Sequence, residues 1–297
     1  MRSPHDHCRV YLPRPNVLLT CKIDIVDARL LRQQNFRPQG GEEMFKNKRA
    51  LITGASRGIG LAVADAFLEN GADVSILASS DRVYSAADEL GTKYQRNVDA
   101  IRCDITDLEM VENEISKISS IDILINNAGL ELITPIDDTS PECARQFQEI
   151  INTNVLGTYY VTRSSLAKMQ SGGRIVITSS IWGKSAVAEF SAYCASKHAN
   201  IGFMRALARE LAPKGITVNA VCPGWVRTTA AMRSLEVMSK RAKVPAEEML
   251  ADIVANQAIG GLLEPEDVVG PYIFLASDAA SDITGQALNV DRGEVMF

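Results

Sequence analysis

Thr53-Gly54-Ala55-Ser56-Arg57-Gly58-Ile59-Gly60 stands between a short apolar run, Ala50 to Thr53, and an amphipathic one, Ile59 to Glu69. The glycine spacing is G-x-x-x-G-x-G, not the G-x-G-x-x-G of the usual dinucleotide fingerprint, but the physical logic is shared. Glycines allow a tight turn and a close backbone approach, so the amides and the positive end of the following helix can hold a pyrophosphate. Such a cluster can also be a plain turn between strand and helix, so its meaning depends on the rest of the chain.

Outward from this segment the pattern repeats. Short apolar, largely β-branched runs are predicted as strands at Ala50 to Thr53, Val74 to Leu77, Ala100 to Cys103, Ile123 to Asn126, Arg174 to Ser179, Thr217 to Cys222 and Ala287 to Val290. Between them, amphipathic stretches predict helices at Ile59 to Glu69, Arg82 to Gln95, Leu108 to Ile118, Glu142 to Met169, Ala192 to Leu211 and Glu266 to Ala276. The alternation predicts an α/β fold with a doubly wound, parallel, seven-stranded sheet in a single domain over 44–297. From Trp225 to about Leu263 the rhythm breaks; this segment reads as one or two helices inserted before the last unit, the kind of insertion that covers a binding site. Residues 1–43, with Pro4, Pro13, Pro15, Pro38 and Gly40-Gly41, read as a disordered or artefactual extension ahead of a start at Met44, and they lack the continuous apolar segment of a secretory signal.

Composition excludes several classes. A net charge of -5 with no basic block argues against nucleic-acid binding. The apolar runs are strand-length, so no membrane partner is expected. Cys8, Cys21, Cys103, Cys143, Cys194 and Cys222 form no C-x-x-C pair, which fits a reducing, cytoplasmic setting. His5, His7 and Cys8 cluster without a periodic scaffold around them, so no metal is expected.

Tyr193 and Lys197, spaced i, i+4, share one face of a helix. A phenol ordinarily ionises near 10, and a neighbouring ammonium favours the phenolate, which suits acid/base work. Alone the pair is a weak motif. Ser180 ends the strand before it, at the strand-end position where open α/β sheets place their sites.

Together these motifs resemble the short-chain dehydrogenase/reductase family, from Met44 almost to the carboxyl terminus. Thr53 to Gly60 looks like that family's T-G-x-x-x-G-x-G segment, and Asn126-Asn127-Ala128-Gly129 like its N-N-A-G segment. The resemblance implies a Rossmann-type fold and an NAD(P)(H)-dependent oxidoreductase working on a carbonyl/secondary alcohol pair. It implies roles for Ser180 (orienting the carbonyl), Tyr193 (proton donor), Lys197 (holding the ribose and lowering the tyrosine pKa) and Asn154 (placing a water that relays protons). The implied cofactor contacts are Gly54, Ser56, Arg57, Gly58, Ile59 and Gly60; Ser79, Ser80, Asp104 and Ile105; Asn126, Ala128 and Gly129; Tyr193 and Lys197; and Pro223, Gly224, Val226 and Thr228. Ala78 stands where the family's ribose-binding carboxylate usually lies. With Ser79, Ser80 and Arg57 nearby this favours NADP(H), with NAD(H) the alternative; Asp81 close by and the absence of an expected second arginine after the strand weigh against it.

Trp182, Phe190 and Trp225 are placed with Ser180 and Tyr193 around the substrate, as aromatic walls; core packing under the insertion is the competing reading. Within the family the chain looks most like carrier-protein ketoreductases and the hydroxybutyrate and polyol dehydrogenases, so the substrate expected first is a 3-oxoacyl thioester. A polyol, ketose or hydroxy acid comes next, and a catalytically silent dinucleotide sensor is the non-enzymatic alternative. Asp291-Arg292-Gly293 departs from the commoner D-G-G, with Arg292 read as a solvated terminal arginine. The long helices around Asn154 and Tyr193 are those through which family members pair, which implies a homotetramer or homodimer.

Overall fold

The computed structural model describes residues 43–297. The extension, with its histidines and Cys8, lies outside the described residues. The strands are β1 (Arg49–Thr53), β2 (Asp73–Ala78), β3 (Asp99–Arg102), β4 (Ile123–Asn126), β5 (Arg174–Thr178), β6 (Thr217–Pro223) and β7 (Ala287–Val290). They form one sheet in the order β3-β2-β1-β4-β5-β6-β7, with every neighbouring pair parallel. Successive side chains leave opposite faces of each strand. Ala50 and Ile52 of β1 and Ile123 and Ile125 of β4 therefore enter one apolar layer, while Leu51 and Leu124 enter the other.

The helices are α1 (Gly58–Glu69), α2 (Arg82–Tyr94), α3 (Leu108–Ser116), α4 (Pro141–Ile151), α5 (Thr158–Leu166), α6 (Ser191–Leu211), α7 (Thr229–Ala242), α8 (Ala246–Ala255) and α9 (Val269–Ala276). Local chemistry sets several of their starts: Asp107 and Ser140 cap α3 and α4 by accepting from Met110 and Cys143 amides, and Pro141 occupies the first turn of α4. The single helix expected over Glu142 to Met169 is interrupted. Residues Asn152–Gly157 form a wider π-helical turn between α4 and α5, because the Asn154 amide is tied outward to Leu130 and Ser196. The segment after Trp225 holds two helices, α7 and α8, and its stem is closed by a bridge between Val226 and Leu263 and by Arg227 against Glu264 at 2.8 Å. It packs on a third apolar cluster containing Trp182, Phe190 and Trp225. Among the described residues no helix is long and apolar enough to cross a membrane.

Candidate active site

The strand order reverses between β1 and β4, and loops leaving their carboxyl ends diverge to opposite sides, opening a crevice there. A cleft of about 670 Å³ occupies it. The loop after β1 and the loop after β4 are bound together across its floor. Thr53 Oγ1 accepts from the amides of Asn127 and Ala128, both at 3.0 Å, and Asn127 Nδ2 donates to the carbonyls of Thr53 and Gly54. Gly54 has φ +66°, and a Cβ on it would lie 2.7 Å from Ala128 Cα; a Cβ on Gly60 would meet Gly54 O and Asn127 Nδ2 at 2.5 Å. Both positions must therefore be glycine if the two loops are to touch.

This cradle fits a dinucleotide. Arg57, the residue before α1, has extended backbone and caps no amide with its side chain, and the first turn of α1 holds no acidic residue. Its amides and the positive helix end stay available to a phosphate. Farther along the cleft lie Ser79 and Ser80, both exposed, and Asp104 and Ile105. Asp104 Oδ1 accepts from Thr106 N at 2.9 Å and Thr106 Oγ1 at 2.8 Å, which fixes the turn after β3. Two arginines that the sequence reading did not assign adjoin this end without lining the cleft. Arg102, on β3, pairs with Asp81 at 3.1 Å, and Arg82 donates to Ser56 O at 3.0 Å. Arg102 comes from the neighbouring strand and engages the carboxylate of Asp81.

At the other end stand the residues expected to do acid/base work. The Ser180 hydroxyl accepts from Trp182 N at 3.2 Å, and the half-buried Tyr193 faces it closely enough to hydrogen bond. Ser179 points away, donating to Lys197 O at 3.0 Å, so it is Ser180 that meets the cleft. Lys197, 3% exposed, donates to Thr178 O at 2.9 Å and has its Nζ 5.4 Å from the centre of the Tyr193 ring. Burial draws the lysine down to about 8. The Tyr193 phenol is pushed upward, first by burial and then by the charge of Glu131, while the Ser180 hydrogen bond pulls it back. Lys197 is not among the groups that shift the phenol, which corrects the expectation that it lowers the tyrosine pKa; the phenol is held protonated, as a proton donor must be.

Most of the expected residues meet the cleft, including Trp182 and Trp225, which stack edge to face at 5.8 Å while also packing under the insertion. Asn154 and Lys197 stand behind its wall. Asn126 donates to Thr162 Oγ1 at 2.9 Å, and Gly60 packs α1 on the β1 loop; neither lines the cleft. Phe190 is corrected from wall to core: it is fully buried, 5.0 Å from Trp182, and supports that ring from below. Arg292 is not a solvated terminus. At φ +56°, where glycine is the easy choice, it donates to Gly260 O at 2.7 Å and approaches Asp267 at 3.5 Å, clamping the foot of the insertion. Sequence reading also missed Glu131, which lines the cleft beside Tyr193; the signal was a lone carboxylate within the apolar stretch Leu130 to Ile133.

A parallel sheet with a glycine-rich loop at its switch point and a tyrosine-lysine helix beside it is the arrangement expected of a nicotinamide-dependent oxidoreductase. The comparisons agree. Residues 54–294 match a family model described as enoyl-(acyl carrier protein) reductase. A D-beta-hydroxybutyrate dehydrogenase of Cupriavidus necator is 32% identical, covering 85% of this chain and 99% of its own. A 3-oxoacyl-[acyl-carrier-protein] reductase of Vibrio harveyi is 34% identical, covering 85% and 99%. The crystal structure of an actinorhodin polyketide ketoreductase variant with NADPH superposes with a TM-score of 0.78 at 33% identity, covering 84% of this chain and 98% of that one. The chain belongs to the short-chain dehydrogenase/reductase family.

Proposed function

We propose that this chain reduces a ketone to a secondary alcohol with NADP(H) in preference to NAD(H), a 3-oxoacyl thioester being the substrate class favoured first. The observation that carries the reading is that Tyr193 and Ser180 line the same cleft as the glycine-rich loop after β1. A dinucleotide held by the glycine-rich loop and Lys197 would supply the hydride for the carbonyl carbon. Ser180 orients the carbonyl through a hydrogen bond to its oxygen, and Tyr193 delivers a proton to that oxygen as charge develops there. Lys197 binds the ribose and returns a proton to the phenolate, fed through a water placed by Asn154. The NADP(H) preference is supported by the chemistry at the end of β2: no carboxylate at Ala78, two serines, Arg57, and an Asp81 that is paired with Arg102. The relative crystallised with NADPH points the same way.

A dimer or tetramer pairing through α4, α5 and α6 is proposed with it; Phe147, Leu156 and Tyr159 are each about two-fifths exposed on that side. Four buried free cysteines among the described residues fit a reducing, cytoplasmic setting. The test follows absorbance at 340 nm for NADPH and NADH with acetoacetyl thioesters, ketoses, sugar alcohols in reverse, and aromatic ketones, beside Tyr193→Phe. Turnover that prefers NADPH and thioesters and disappears in Tyr193→Phe supports the reading. Oxidation of sugar alcohols without thioester turnover would transfer it to the polyol class, and cofactor binding with no turnover would leave a sensor.

A further inference from the structure

Glu131 lines the cleft with Ser180, Tyr193 and Trp225 and has no part in the proton transfer described above. Its position is fixed from both sides. The preceding residue, Leu130, is held at N–H and C=O by the Asn154 amide, at 2.7 and 2.9 Å, and the Glu131 carbonyl accepts from Arg233 Nη2 of α7 at 2.7 Å. Its Oε1 is buried with no hydrogen-bond partner. The Ser234 hydroxyl is in hydrogen-bonding contact with the carboxyl, Arg233 and Lys197 are the cations facing it, and the Tyr193 phenol feels its charge. A carboxyl with one oxygen left without a donor is costly to hold, and a bound molecule that donates to the carboxyl from the cleft offsets that cost.

We propose that Glu131 is a specificity-determining residue: its carboxyl accepts a hydrogen bond from a hydroxyl or N–H on an uncharged carbonyl substrate and excludes substrates that end in a free carboxylate. The inference rests on the reductase reading of the same cleft and sharpens it, because it favours esters, thioesters and hydroxyketones over hydroxy acids. The exclusion follows from the local charge balance. The carboxylate offsets the charge of Arg233 and Lys197; with glutamine at 131 the field of those two cations acts unopposed on an anionic substrate in the cleft. Burial pushes the Glu131 carboxyl up from its ordinary range, so lowering the pH through its ionisation neutralises it and relaxes the exclusion.

The experiment compares kcat/KM for methyl acetoacetate and acetoacetate, and for 4-hydroxy-2-butanone and 2-butanone, in the wild type, Glu131→Gln and Glu131→Leu. In parallel, acetoacetate is titrated calorimetrically onto the NADP+-loaded protein. The wild type favours the ester over the anion. Glu131→Gln narrows that ratio by about tenfold or more, the order expected for a like charge removed from a poorly solvated site. It also binds acetoacetate more tightly, and Glu131→Leu loses the preference for the hydroxyketone. The wild-type ratio narrows as the pH is lowered, and the ratio in Glu131→Gln does not. An unchanged ratio and unchanged acetoacetate affinity in a variant that still binds NADPH overturns the proposal. Where Glu131→Gln fails to fold, a pH-independent wild-type ratio does the same. Absence of any carbonyl turnover refutes the reductase reading instead, and the calorimetric arm still decides whether Glu131 repels anions.

Discussion

Lys197→Met separates what the buried ammonium does for chemistry from what it costs the fold. Burial draws this lysine from the ordinary 10.5 down to about 8. At about 1.4 kcal/mol per tenfold change in proton affinity, the folded chain disfavours the charged form by about 3 kcal/mol. Methionine of similar length removes the charge but gives up the 2.9 Å hydrogen bond to Thr178 O, worth about 1 kcal/mol. The expected net gain near neutral pH is about 2 kcal/mol, or a melting temperature higher by roughly 4 to 8 °C for a domain of this size. The gain depends on pH in a defined sense. Below about pH 8 both folded and unfolded chains carry the proton and the full cost is present. Between about 8 and 10.5 the folded chain has released it while the unfolded chain retains it, so the wild type gains stability as pH rises and the variant's advantage fades. Urea denaturation of both proteins at pH 7 and pH 10, at one protein concentration, measures this. A variant no more stable than the wild type at pH 7, or an advantage undiminished at pH 10, refutes the reasoning. Activity should fall by orders of magnitude in the same variant if Lys197 has the proposed role.

Two further perturbations address the cradle. Gly54→Ala places a Cβ 2.7 Å from Ala128 Cα at a backbone of φ +66°; it should destabilise the fold by about 2 kcal/mol or more and weaken dinucleotide binding, read by NADPH fluorescence titration and thermal melting. Arg57→Ala, alone and with Arg102→Ala, should raise KM for NADPH by about tenfold while leaving KM for NADH nearly unchanged, since only the former carries a 2'-phosphate for a guanidinium to hold; equal losses with both cofactors would remove these arginines from cofactor choice.

Much of the protein was legible in its sequence because the signals were local. The G-x-x-x-G-x-G turn, the alternation of strand and helix, and Tyr193 and Lys197 one helical turn apart depend on neighbouring residues and on backbone geometry that any fold must obey. All seven strands fell within a residue of their predicted ends for the same reason. Tertiary structure decided what depends on partners distant in the chain. Phe190 became core because Trp182 lies over it. The helix over Asn154 opened because Leu130 and Ser196 claim its amide. Arg102 reached Asp81 from a neighbouring strand, and Arg292 became the clamp of the insertion through Gly260 and Asp267. The burial of Glu131, from which its role as selector was inferred, arises where the β4 loop meets α7; no spacing within the sequence encodes that meeting, because hydrogen bonds and desolvation act on distances in space, not on separation along the chain.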